Sequence, residues 1–164
     1  ITELYGNETF PKGSSKRGFD SSLEEILHSI THYGYSEVYP EALAINQDSI
    51  LTNAMDIARG GRFKNVPRRY PKEAWYTYDD QTCDYECQAV EYFYWGLTSY
   101  LGAQDYSGRF KEIKDEWKLN TPEKFKKKDK QFSEILSNKK YFLPSIIPDG
   151  KYYPSLCSEI SLLK

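Results

Sequence analysis

No run of 18 or more apolar residues occurs in the 164-residue sequence, so no segment reads as a membrane span. Net charge is scarce as well: 22 Lys and Arg against 24 Asp and Glu leave −2, which gives no global pull toward polyanions, and no nucleic-acid partner is expected. The sequence also lacks several catalytic signatures. Gly60-Gly61 is not followed by the Lys-Ser/Thr pair of a phosphate-cradling loop and comes after a predicted helix rather than before one. There is no Gly-x-Ser-x-Gly elbow. Asp79, Asp80, Asp84 and Glu86 lack the glycine and closing glutamate of an EF-hand loop. Cysteine is limited to Cys83, Cys87 and Cys157, enough for one disulfide and a remaining thiol. Cys83 and Cys87 stand one helical turn apart without the second pair of a zinc ribbon, so a bond from one of them to Cys157 is the simpler expectation. The sequence opens on Ile1 without a basic stretch or an apolar run, and the expectation is that any targeting peptide has been removed or that the chain is a fragment.

What the chain does have is rings. Hydrophobic residues make up 39% and mean hydropathy is −0.73, yet 15 Tyr, 8 Phe and 3 Trp supply an aromatic share of 16%. Aromatic bodies bury large areas while tyrosine and tryptophan tips find hydrogen-bond partners, so the composition predicts a folded core built from rings. The predicted fold is mainly α: a single aromatic-rich helical domain over 20–164 with long irregular loops, preceded by an extended N-terminal arm over 1–19.

The first helix is predicted after Asp20, with Ser21 and Glu24 as a capping box, Leu23, Ile26, Leu27 and Ile30 as the core face, and an end near Gly34. A second is predicted over 46–58 with a stripe of Ile50, Leu51, Ala54, Ile57 and Ala58, stopped by Gly60-Gly61. The strongest pattern runs from Asp84 to Leu101. Its Tyr-Phe-Tyr-Trp run makes it apolar on most sides, which predicts a central, buried helix ending at Gly102. A fourth helix capped by Ser107 is expected to reach Trp117, and Thr121-Pro122 opens another through Leu136 with a break near Asp129. Trp75-Tyr76-Thr77-Tyr78 alternates like a short strand, with core packing its expected use. Pro144, Pro148 and Pro154 exclude a long helix beyond Tyr141.

Charge is uneven beneath the small total. Residues 59–72 carry six basic residues and no acid, whereas residues 73–91 carry six acids and no base. Mutual pairing of the two segments is the plain expectation; an anion-binding loop beside an acidic metal pocket is the sharper one. Arg68-Arg69 also reads as a dibasic processing site, and 124–130 as a solvated basic helix face.

Both histidines fall on the first predicted helix, in Glu24-Glu25-Ile26-Leu27-His28-Ser29-Ile30-Thr31-His32. Four-residue spacing aligns Glu24, His28 and His32 along one side, a chelating row to which another helix can add a ligand. Glu91 sits in the aromatic stretch of the third helix, where a carboxylate needs a cation, a tyrosine hydroxyl or an outlet to solvent. Glu24-Glu25-Ile26-Leu27-His28 resembles the His-Glu-x-x-His helix of the zincin metallopeptidases with its first histidine replaced by glutamate, and Glu91 is similar to the later glutamate ligand of the gluzincin branch. The resemblance covers two short helical pieces. It implies Glu24, His28 and Glu91 as ligands of a divalent metal, zinc favoured, with His32 as an additional candidate, Glu25 as general base and Tyr33 or Tyr35 as oxyanion stabiliser.

Asn7-Glu8-Thr9 is a glycosylation acceptor and, with the cysteines, favours a secreted, extracellular protein. Two functions stand side by side at this level. One is a secreted zincin-like domain binding a metal between its first and third helices, a degenerate metallopeptidase with a peptide or protein partner. The other is a non-catalytic secreted structural or ligand-binding protein that uses a Tyr-rich surface.

Overall fold

The computed structural model describes residues 4–9, 20–46 and 48–148. Most of the expected arm, and Cys157, lie outside the described residues. The described part is mainly helical: α1 (Ser22–Ile30), α2 (Ser36–Val38), α3 (Pro40–Leu43), α4 (Ile50–Arg59), α5 (Tyr85–Tyr100), α6 (Arg109–Ile113), α7 (Pro122–Lys128) and α8 (Lys130–Ser137). Among the described residues no strand forms; the Trp75–Tyr78 stretch is extended and joins the segment after α6 through a single antiparallel bridge between Tyr76 and Trp117.

α5 is the axis of the molecule and packs against α1, α4, α7 and α8. The expected central, buried helix is therefore present: every residue from Gln88 to Ser99 is buried. Asp84 caps it by accepting the Cys87 N–H at 3.0 Å. Rings fill the space toward α7 and α8, where Tyr92 stacks on Phe132 with centroids 5.0 Å apart and Trp117 and Phe125 close the cluster. The helices meet closely at Gly96, where a Cβ would lie 2.1 Å from the Phe132 ring. Polar tips inside this cluster are bonded: Tyr92 donates to Asp129, Tyr76 to the Gln88 carbonyl and Trp117 Nε1 to Ser99. Asp129 also breaks the chain between α7 and α8 and accepts the Phe132 N–H, while Thr121 caps α7 ahead of Pro122, as expected.

Several local expectations are corrected. α1 does not stop at Gly34; it continues through a wide π-type turn at Thr31–Tyr35 into α2. Ser21 makes no side-chain cap, and Asp20 accepts the Ser22 N–H instead, which leaves Glu24 free of capping duty. α4 begins at Ile50, not at residue 46, because Ser49 and Thr52 form its cap; it ends at Gly60, whose φ of +77° suits glycine. Ile50 and Ile57 are exposed, and Met55, Thr52 and Arg59 are buried in their place. α6 is a short helix opened at Gly108 rather than a long one capped by Ser107.

The basic and acidic segments do not pair with each other as expected. Arg59 is fully buried and bonds Asp56, Gln88 and the Phe63 carbonyl, tying α4 to α5. Arg62 pairs with Asp48 and Asp56, so the acids that answer these arginines precede the basic stretch.

Candidate metal centre

α1 turns an unexpected face to the core. Ile26 and Ile30 are 57% and 45% exposed, whereas Leu27, His28 and Thr31 are buried. The correction is a rotation of about a quarter to a third of a turn: at 100° per residue, Glu24, Leu27, His28 and Thr31 form one narrow stripe, and that stripe meets α5. Leu23 and Ile26 retain apolar company in a small groove shared with Leu97, Leu101 and Ile146.

The rotation brings Glu24 and His28 against Glu91. One ligand atom from each of the three residues lies within 4.8 Å of the others, so this group could hold a metal ion. His28 Nε2 and Glu91 Oε2 approach to 3.4 Å, close enough to attract but misaligned for a hydrogen bond. Among the described residues, those two atoms and Arg59 Nε are the buried side-chain atoms that lack a hydrogen-bond partner. The arginine is otherwise well bonded; the other two face each other across the α1–α5 junction. Such atoms cost about 1–3 kcal/mol each when left unpaired, more when charged. The other Glu91 oxygen accepts the Tyr78 hydroxyl at 3.1 Å, and the Tyr94 ring meets the His28 ring edge-on at 6.0 Å.

The electrostatics of the group are those of an incompletely neutralised anionic site. Burial, reinforced by the negative charge of Glu91, pushes Glu24 up to about 8. Burial raises Glu116 to about 7, although the Trp95 indole N–H donates to it at 2.7 Å. Burial opposes the His28 imidazolium, but the surrounding Glu91, Glu24 and Glu25 carboxylates outweigh it and raise its pKa. Three half-buried or buried carboxylates thus share one histidine.

Glu25, the expected general base, stands beside the group: its carboxylate is 3.8 Å from His28 Nδ1 and burial raises its pKa. It lines an open cleft of about 620 Å³ together with His28, His32, Cys87 and Glu91. His32 borders this cleft but is not part of the three-ligand group; its ring rests on Tyr33 with centroids 4.4 Å apart. Neither expected oxyanion stabiliser lines the cleft, since Tyr33 is 69% exposed and Tyr35 packs against Phe93. Tyr78 is the phenol that reaches the site. Its signal was the Trp75–Tyr78 alternation, which places Tyr76 and Tyr78 on the same side, one bonding Gln88 and the other Glu91 a helical turn further along. Glu116 had no local signal.

Cys83 and Cys87 form a disulfide at the start of α5, correcting the expected bond to Cys157; the Asp84 cap brings their Cα atoms to 5.3 Å. Asn7 is exposed on a short 3₁₀ turn at Gly6–Glu8, and Arg68 and Arg69 are exposed in the loop after α4. The aromatic run of α5 is in the core, so a Tyr-rich surface does not arise from it. No described helix is long and apolar enough to cross a membrane. Compared with protein-family models, curated proteins and solved structures, the chain matches none.

Proposed function

We propose that this chain is a zincin-like domain that binds a divalent metal between α1 and α5, with Glu24, His28 and Glu91 as ligands. The observation that supports the reading most is the facing pair of buried atoms His28 Nε2 and Glu91 Oε2, 3.4 Å apart and neither with an aligned hydrogen bond, inside a group whose third member, Glu24, has its pKa raised by burial and by the charge of Glu91. A carboxylate–imidazole–carboxylate set leaves an open coordination position, the pattern of catalytic rather than structural zinc, and zinc is the ion that the resemblance favours.

Bound there, such an ion supplies Lewis acidity next to the cleft. The residues around it then have separable duties. Tyr78 orients Glu91 through its hydroxyl, and Glu25, with its pKa raised by burial, is positioned to take up a proton at the cleft wall. Peptide hydrolysis in a degenerate metallopeptidase site is the reaction we assign to this arrangement. The Cys83–Cys87 disulfide and the exposed Asn7 acceptor support a glycosylated, extracellular setting.

The test is elemental analysis of protein purified without added metal, followed by zinc titration of the chelator-treated protein by calorimetry. The reading expects one equivalent of metal in the wild type and less than about a tenth of one in His28→Ala. Equal metal content in the two proteins overturns it. Cleavage of an unstructured casein substrate, lost in Glu25→Gln while metal content is retained, tests the hydrolytic step separately.

A further inference from the structure

On a different face, the extended Ala74–Trp75 segment, the chain after α6 and helix α7 enclose a shallow cleft of about 450 Å³. Its floor is apolar, made by Ala74, Trp75 and Leu119, and its rim is Lys72, Lys118, Lys124, Lys127 and Lys128 with a single carboxylate, Glu73, among them. These five lysines come from three separate stretches of sequence. All are exposed, and no carboxylate of the described residues lies within ion-pair distance of any of them. In a chain of net charge −2, gathering five ammoniums that form no ion pair around a cleft with one rim carboxylate is a local electrostatic cost that a polyanion would relieve.

We propose that this cleft binds an acidic polysaccharide, one whose sugar rings carry sulfate or carboxylate groups. Flat apolar ground ringed by ammoniums matches a pyranose ring with pendant anions. The Trp75 ring is held in place because its Nε1 donates to buried Asp129 at 3.1 Å, so the floor is preformed. Lys118 and Lys124 are held too: Lys118 Nζ donates to the Ala74 carbonyl, and Lys124 Nζ donates to Asn120 at 2.7 Å and lies 4.3 Å from the Phe110 ring centre. Lys128 Nζ sits 4.7 Å from the centre of the Trp75 ring, so what the ring presents to a ligand there is an ammonium that would meet a sulfate or carboxylate; single-stranded DNA, which would need that face for stacking, is the competing outcome of the test. The Cys83–Cys87 disulfide also belongs to oxidising compartments, where acidic glycans abound.

The proposal does not depend on the metal centre, and its test uses circular dichroism as the check of folding. A heparin dodecasaccharide, its desulfated counterpart and a single-stranded DNA of equal charge are titrated into the wild-type chain at several salt concentrations. The sulfated sugar is expected to bind with an affinity that falls steeply with salt, the other two at least about tenfold more weakly. Lys72→Ala/Lys127→Ala/Lys128→Ala removes three lysines that make no hydrogen bond to the fold, and is expected to weaken the sulfated sugar by about tenfold or more with unchanged circular dichroism. Lys111→Ala/Lys114→Ala/Lys139→Ala removes the same charge from exposed positions elsewhere and is expected to change affinity by less than about threefold. Absence of binding, equal losses in the two triple variants, or DNA binding as tight as that of the sugar overturns the proposal.

Discussion

On the side of α5 that meets α7 and α8, Tyr76, Tyr92 and Trp117 are fully buried and each has a hydrogen-bond acceptor. On the side that meets α1, Glu91 and His28 are buried nearly as deeply, but one atom of each has none. The two sides belong to the same helix and differ in what they complete. The aromatic side closes its own polar inventory and needs nothing further to be stable. The α1 side holds three carboxylates around one imidazole, which is a stable arrangement only with protons or a cation among them. Burial alone therefore does not mark a core; the state of its polar atoms separates a packing surface from a site.

The sharpest way to break this comparison is to remove one ligand. His28→Ala should lower zinc affinity by several orders of magnitude, read by competition with a chromophoric chelator, and should leave the near-ultraviolet signal of the aromatic side intact. Phe132→Ala should do the converse. It deletes a fully buried ring stacked on Tyr92 and in contact with Phe93 and Phe125, and is expected to cost about 3–5 kcal/mol in urea unfolding while the metal stoichiometry at low temperature persists.

How much of this was legible in the sequence follows the same division. The α5 pattern from Asp84 to Gly102 was readable because its cap, its stop and its ring content all agree, and Thr121-Pro122 was readable for the same reason. The group Glu24, His28 and Glu91, which could hold a metal ion, was suggested by four-residue spacing and by one acid standing among rings. The orientation of α1 was misread because hydrophobicity alone favours Ile26 and Ile30, whereas the tertiary partner of that helix is a carboxylate, which only the fold can supply. Glu116 was invisible for a related reason: it comes from a different segment, accepts the Trp95 indole N–H, and is felt by Glu24 and Glu91 only as a nearby negative charge.

Proton linkage distinguishes the two sides without any change in packing. Glu24 and Glu116 have pKa values raised in the folded chain, to about 8 and about 7. Between roughly pH 4.5 and 8 the folded state then holds protons that the unfolded state has released, so stability contributed by these groups is present below about 4.5 and is lost as pH rises through the folded values. The raised pKa of His28 acts in the same sense above its ordinary value. Chelator-treated protein should lose stability over this range in urea unfolding, and Glu24→Gln should flatten the slope. Saturating zinc should reverse the trend, because its binding displaces those protons.

Tyr78→Phe is a finer cut. It removes only the hydroxyl that donates to Glu91, leaving the ring beside α5, and should weaken zinc about 10- to 100-fold without a shift in pH-independent stability larger than about 1 kcal/mol. An unaltered zinc affinity would show that Glu91 is oriented by the helix alone.

The smallest effect is expected at the disulfide. Cys83 and Cys87 close a loop only four residues apart in sequence, and Asp84 already fixes that turn by capping α5. Loop-closure entropy for so short a ring is about 2 kcal/mol at most, and the cap has restricted part of the same freedom, so Cys83→Ser/Cys87→Ser should lower stability by less than that. The site makes the more informative readout. Cys87 borders the cleft one turn before Glu91, and if the bond serves mainly to hold the start of α5 under α1, zinc affinity should fall in the double serine variant by more than the loss of global stability explains. A loss confined to global stability would instead make the bond a plain staple, and would place the whole orientation of the ligand set in the packing of α1 against α5.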